Sequence, residues 1–250
     1  MRIKVLYEDS NILAIDKPSG ILVNPVPEQA RYGAGPDKNK TIYEIFRKKY
    51  PKLELVHRLD KETSGVMLLA KNKKAHEFLK QQFQNREVKK IYNAIVSGSV
   101  KNDRGVINKP IGRSPKDFRR RLAGRGVRGE LREAITEYKV LKRITLPLTP
   151  SLRREGENSP PAKGESSKRE GVKFTFLEIK PKTGRTHQIR VHMKYINHPV
   201  VCDALYNPNG VCPKSISRLA LHAKSIEFKN LKGEIIKVES ALPKEFKKIV

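Results

Sequence analysis

His57-Arg58-Leu59-Asp60-Lys61-Glu62-Thr63-Ser64-Gly65-Val66-Met67-Leu68-Leu69-Ala70 sets an aspartate in a polar stretch directly ahead of an unbroken apolar run. A short apolar run bounded by a polar, glycine-containing turn reads as a buried strand. A side chain at the mouth of such a strand is held by a rigid element, which is what precise chemistry needs. Asp60 is therefore the first candidate for a chemical role. The competing reading is local: an Asp followed by Thr-Ser-Gly also satisfies its own backbone in a turn.

Working outward, residues 3–7 and 12–15 are expected as two strands around Glu8-Asp9-Ser10-Asn11, with Lys17-Pro18-Ser19-Gly20 ending the second. Residues 27–40 carry Gly, Pro and charge without periodicity and read as a loop. Thr41 then opens a helix through Ile42, Ile45 and Phe46, and Thr41 with Glu44 fits a capping box. Residues 72–86 read as a second helix with Ala75, Phe78, Leu79 and Phe83 on one side, and strand signals return at 91–96, 106–111 and 133–141. Residues 146–171 hold four prolines and few apolar side chains, so they are expected as a disordered insertion. The insertion falls in the loop of a hairpin between strands at 138–141 and 174–179, where added length costs little because closure entropy grows only logarithmically. No internal repeat appears, and one domain is expected over residues 1–250.

The chain has 53 Lys plus Arg against 26 Asp plus Glu, a formal charge of +27 over 250 residues. Such an excess points to a polyanionic partner, RNA or DNA before a membrane surface, because no lipidation motif or long amphipathic segment supports the latter. No apolar run approaches the roughly 18 residues that cross a bilayer, and a cytoplasmic protein is expected. Cys202 and Cys212 are too few for a disulfide framework or a four-thiolate zinc site and are expected as reduced thiols. His57, His187 and His192 lack the dense Cys or carboxylate cluster of a metal site, so neither metal nor cofactor is expected.

The stretch from His57 to Gly65 resembles the signature of the RluA-type RNA pseudouridine synthases, His-Arg-Leu-Asp-x-x-Thr-Ser-Gly, at every specified position. The resemblance extends in order through Asp16-Lys17-Pro18-Ser19-Gly20, Lys90-Ile91-Tyr92 and Gly184-Arg185-Thr186-His187-Gln188-Ile189-Arg190-Val191-His192. It implies an α+β fold with a mixed, largely antiparallel central sheet, flanking helices and loops, and an active-site cleft across the sheet. The small N-terminal RNA-binding module that often accompanies the family is expected to be absent, since the first strand begins almost at Met1.

Turning uridine into pseudouridine requires a carboxylate near the reacting carbon, a cation to keep it ionised, a group to manage the C5 proton, and a pocket for an unstacked base. By the resemblance, Asp60 is the essential carboxylate, acting either by addition at C6 or by abstraction of the C2′ proton. Tyr92 matches the tyrosine that stacks on the target base, with a role in C5 deprotonation, and Arg190 the arginine that pairs with the aspartate. Arg58 matches an arginine that fills the space of a flipped nucleotide, and His57, Arg185 and His187 complete the expected substrate contacts. Thr186 is expected to cap a helix whose buried stripe is Ile189, Met193 and Ile196.

Residues 113–132 contain eight Arg or Lys and two acids, Asp117 and Glu130, and read as a flexible cationic loop in which Lys116, Arg119, Arg120 and Arg121 track an RNA backbone. Ribosomal RNA is the favoured partner, with transfer RNA as the alternative, and the chain is expected as a monomer. Two other classes remain to be weighed. A non-catalytic RNA-binding protein would carry the basic stretch but has no need of the acid, tyrosine and arginine motifs. A nucleoside or glycoside hydrolase would want paired carboxylates, and Glu62 makes a poor second acid.

Overall fold

The computed structural model describes residues 3–25, 41–147 and 171–250. The loop read at 27–40 and residues 148–170 of the expected insertion lie outside them. In chain order the elements are β1 (Lys4–Glu8), β2 (Ile12–Lys17), α1 (Ile42–Arg47), β3 (Glu54–Leu55), β4 (Ser64–Ala70), α2 (Lys73–Gln84) and β5 (Lys89–Ser97). There follow β6 (Arg104–Asn108), β7 (Ile111–Arg113), β8 (Arg121–Ala123), β9 (Arg128–Arg132), β10 (Ile135–Leu146) and β11 (Val172–Pro181). The chain closes with α3 (Gln188–Tyr195), β12 (Leu221–Lys229), β13 (Ile235–Glu239) and α4 (Lys244–Lys247). Strands outweigh helices and pair mostly antiparallel, the α+β class the resemblance implies. The chain divides into two compact units, residues 1–92 with 221–241 and residues 93–220 with 242–250.

In the first unit β1, β2, β4 and β12 are neighbours in that order, and β13 pairs with β12. β2 runs antiparallel to β4 from Ile12 opposite Ala70 to Lys17 opposite Gly65, whereas β12 is parallel to β4, with His222 opposite Ser64 and Ala223 opposite Gly65. All of β4 is buried because alternate side chains enter different cores. Val66, Leu68 and Ala70 pack with Ala75 and Leu79 of α2, while Met67 and Leu69 pack with Ile42 and Phe46 of α1. Both helices begin where sequence logic puts them. Thr41 and Glu44 form a reciprocal capping box, and the Asn72 side chain accepts the Ala75 amide at 2.9 Å.

In the second unit the Asn93–Ser97 part of β5, then β11, β10 and β6 are neighbours, and β10 pairs antiparallel with β11 from Thr136 opposite Pro181 to Leu146 opposite Val172. Residues 147–171 thus interrupt a hairpin, as expected. The basic stretch departs from its reading as a loop: β8, β7 and β9 make a separate three-stranded sheet. Backbone pairing needs no apolar alternation when the ribbon is solvated, and every residue of β9 is exposed.

Two further expectations are corrected. Cys202 and Cys212 are joined in a disulfide, not free thiols. Cys202 adopts the left-handed region, φ 55°, which folds the chain back so that the two Cα atoms lie 5.1 Å apart, within bonding range for cystine. The cap of α3 is His187, also left-handed at φ 58° and without a side-chain cap bond, instead of Thr186. Gln188 instead ties the helix to the segment before it, its Oε1 accepting the Arg185 amide at 3.0 Å and the Thr183 hydroxyl at 2.7 Å. Ile189 and Met193 of the expected stripe are buried, and Ile196 is partly so.

Candidate active site

Asp60 opens a tight turn whose backbone closes through the Thr63 amide donating to the Asp60 carbonyl at 3.1 Å. That turn is strapped to the segment after β2. The wholly buried ammonium of Lys17 donates to the carbonyls of Pro18 and Lys61 at 3.0 Å and of Thr63 at 2.8 Å. The Gly20 amide reaches the Lys61 carbonyl at 2.8 Å, and the Ser19 hydroxyl the Glu62 carbonyl at 2.6 Å. A buried lysine is costly unless every proton finds an acceptor, and three carbonyls supply them here. The turn that Asp60 opens is thus held by backbone bonds and by the Lys17 strap.

Beyond the turn, the Ser64 hydroxyl and His222 Nδ1 are 2.9 Å apart. Gly65 sits at φ 109°, where any Cβ would collide with the Ala223 carbonyl, so the strand after Asp60 requires glycine at this point. Tyr92, at the end of the first unit, packs against the core formed by Leu59, Met67 and Ala223. Its hydroxyl is pushed above its ordinary pKa first by burial and then by the negative charge of Asp60. The Tyr92 phenol therefore keeps its proton at neutral pH, with the half-buried Asp60 near enough for its charge to be felt.

His57 is engaged with the strand itself. Its Nε2 accepts the Leu68 amide at 2.9 Å, its ring stacks on Phe83, and burial with the nearby Lys90 charge drives its pKa down to about 3. Arg58 between it and Asp60 is exposed.

In the second unit, Arg190 on α3 is buried and forked onto a carboxylate that sequence reasoning missed. Its Nε donates to Asp203 Oδ2 at 2.7 Å and its Nη2 to Oδ1 at 2.8 Å, with Arg190 7% and Asp203 1% exposed. Asp203 Oδ1 also accepts the Leu205 and Tyr206 amides at 3.0 Å, and the Arg190 guanidinium lies 5.1 Å from the centre of the Tyr206 ring. Asp203 thereby claims the Nε edge of the guanidinium and directs its other edge elsewhere. The Tyr206 hydroxyl accepts the Arg121 amide at 2.9 Å and meets His187 Nδ1 at 2.9 Å, so one short loop orients both Arg190 and His187. Arg185 donates from Nε to the Glu133 carbonyl at 2.9 Å.

A signal for Asp203 was present: a lone acid between Val200-Val201-Cys202 and Ala204-Leu205-Tyr206 needs a buried cation. His192 is structural. Its Nε2 donates to the Lys109 carbonyl at 2.9 Å, so Nδ1 receives the Thr136 hydroxyl at 2.8 Å. Among the described residues no group of three or more His, Cys, Asp or Glu is placed to hold a metal ion, and no helix is long and apolar enough to cross a membrane.

Of the expected RNA-backbone residues, Lys116, Arg119 and Arg120 sit on the turn joining β7 to β8 and Arg121 opens β8. Arg119 forks onto Asp117 at 3.1 and 2.9 Å, Arg120 approaches the same carboxylate at 3.6 Å, and Arg121 donates to the Phe118 and Arg120 carbonyls at 3.0 Å. Lys116 is exposed.

A family model described as RNA pseudouridylate synthase matches residues 11–195, spanning the Asp60 turn, Tyr92 and Arg190. The chain belongs to this family. The synthase is 37% identical to an uncharacterized RNA pseudouridine synthase of Aquifex aeolicus over 99% of its own length and 72% of that protein. It is 34% identical to ribosomal large subunit pseudouridine synthase D of Xanthomonas campestris, over 99% of this chain and 68% of the relative. With the dual-specificity RNA pseudouridine synthase RluA of Vibrio vulnificus it shares 33% identity over 90% of this chain and 77% of the relative. The solved human RNA pseudouridylate synthase domain containing 1 has the same fold, with a TM-score of 0.70 at 24% identity over 97% of the synthase and 84% of the human chain.

Proposed function

We propose that this pseudouridine synthase isomerises uridines in ribosomal RNA, acting as a monomer in the cytoplasm. The bond from N1 to C1′ breaks, the base turns, C5 joins C1′, the C5 proton leaves and N1 takes one up, so neither redox change nor hydrolysis occurs. Asp60 is the carboxylate of this reaction, by addition at C6 or by abstraction of the C2′ proton, and Arg190 is its cation. Tyr92 stacks on the base. As a phenol it manages the C5 proton by hydrogen bonding and does not act as a standing base. Arg58 occupies the space of the displaced nucleotide, while Arg185 and His187 contact the substrate. His57 contributes by fixing β4. Lys116, Arg119, Arg120 and Arg121 hold the RNA backbone.

The observation that carries the reading is the Asp60 turn: a half-buried acid on a turn held by Lys17, Ser19 and Gly20, near a Tyr92 hydroxyl whose pKa is raised first by burial and then by the Asp60 charge. Transfer RNA is the second reading, favoured by likeness to a relative named as dual-specificity. Tritium release from RNA carrying [5-³H]uridine tests both. Release from ribosomal transcripts by the native chain and not by Asp60→Asn is expected, and release from transfer RNA alone would replace the target. No release from any transcript or from partly assembled ribosomal particles, with RNA binding retained, would leave a binding protein.

A further inference from the structure

The turn between β7 and β8 presents an aromatic side chain that nothing in the isomerisation chemistry uses. Phe118 is 72% exposed, the most exposed of the large apolar side chains among the described residues. A single exposed apolar residue is ordinary on a protein surface. What sets Phe118 apart is the rigidity of its support and the charge around it.

The turn is closed by the Ser114 amide donating to the Arg120 carbonyl at 3.1 Å, and within it the Arg120 amide donates to the Asp117 carbonyl at 2.9 Å. Phe118 and Arg119 are thus the two central residues of a hydrogen-bonded turn. The Asp117 carboxylate, held down to about 2 first by the Arg119 side chain, accepts the Arg119 amide at 2.9 Å and stays ionised at any physiological pH. Arg121 grips the Phe118 carbonyl at 3.0 Å, and its own amide is tied to Tyr206 at 2.9 Å. The backbone under the ring is therefore fixed from both sides, and little ordering entropy remains to be lost when the ring meets a ligand. Arg113, Lys116, Arg119, Arg120 and Arg121 flank it, with Asp117 as the one acid between Arg113 and Arg121.

We propose that Phe118 is a stacking post for an unpaired nucleobase of the substrate RNA, a contact outside the isomerisation chemistry. The flanking cations draw in phosphates on either side of the base, and the ring supplies the planar face. A paired helix is the wrong partner, since its bases are already stacked and its deep groove does not admit the ring. A membrane surface calls for a broader apolar face than one residue. This inference rests on RNA being the substrate and narrows it to RNA with an unpaired base outside the reacting uridine.

The test titrates the full chain into a hairpin RNA with 2-aminopurine in its loop and into a blunt duplex of equal length, both near physiological salt. Phe118→Ala is expected to weaken hairpin binding about ten- to a hundredfold, the loss of one stacked base, while duplex binding and Tm hold. Phe118→Tyr and Phe118→Trp should restore both affinity and the fluorescence change, and Phe118→Leu should not. Equal hairpin affinity in native and Ala chains overturns the proposal, as does a parallel loss for hairpin and duplex with a lowered Tm. Phe118-dependent hairpin binding without tritium release from any transcript would uphold the stacking post and remove the isomerase reading instead.

Discussion

Asp60 and Asp203 are both aspartates beside functional residues, and the chain treats them in opposite ways. Around Asp60 the support goes to the backbone: Lys17, Ser19 and Gly20 hold carbonyls of the turn, leaving the carboxylate partly accessible. Around Asp203 the support goes to the carboxylate, which takes two bonds from Arg190 and two from backbone amides in a buried setting. The Asp203 carboxylate is saturated and serves geometry, whereas at Asp60 the fixed backbone sets the position of a half-buried side chain.

The contrast yields predictions in falling order of effect. Asp60→Asn should cut tritium release by at least about a thousandfold, the upper range for loss of a positioned acid or base, with the urea midpoint barely moved. A large stability loss in this variant would erase the distinction. Asp203→Ala should show the reverse emphasis, about 3–5 kcal/mol of stability lost in urea denaturation because a buried guanidinium is left without its partner. Reducing the Cys202–Cys212 disulfide, which closes a loop with a sequence separation of 10, should cost about 3 kcal/mol by the chain-entropy account and lower the Tm. Lys17→Met should cost about 2 kcal/mol and slow turnover, because the carbonyls beside Asp60 lose a charged donor.

A further effect concerns pH. His57 is held neutral in the folded chain down to about 3, against an ordinary 6.5. Between those values the unfolded chain binds a proton that the folded one refuses. This contribution is therefore complete above about pH 6.5 and lost as the pH falls toward 3. In His57→Gln, which keeps an acceptor for Leu68, stability should decline more gently over that window. An identical slope would assign the acid sensitivity to other groups.

The same contrast explains what the sequence discloses. Asp60 is legible because its turn, its strand and its glycine are consecutive, and the Thr41–Glu44 cap is legible because both halves lie three residues apart. Asp203 escapes because its partner is thirteen positions back on a helix and no local pattern joins them. The disulfide depends on Cys202 taking a left-handed backbone that only the folded loop imposes. The β7–β9 sheet is hidden because its strands are short and the solvated β9 lacks the apolar alternation by which strands are recognised, and His187 displaces Thr186 at the head of α3 by taking a left-handed backbone that no local pattern announces.

The parallel pairing of β4 with β12 has a consequence in time. Ser64 and His222, which meet across that pair, are 158 residues apart. At synthesis rates of about 5–20 residues per second, the Asp60 strand waits on the order of ten to thirty seconds for its neighbour to be made. A nascent chain on the ribosome therefore holds the whole Asp60 motif long before it holds the strand that completes its sheet, and truncated products that end before residue 221 carry the signature without the framework that supports it.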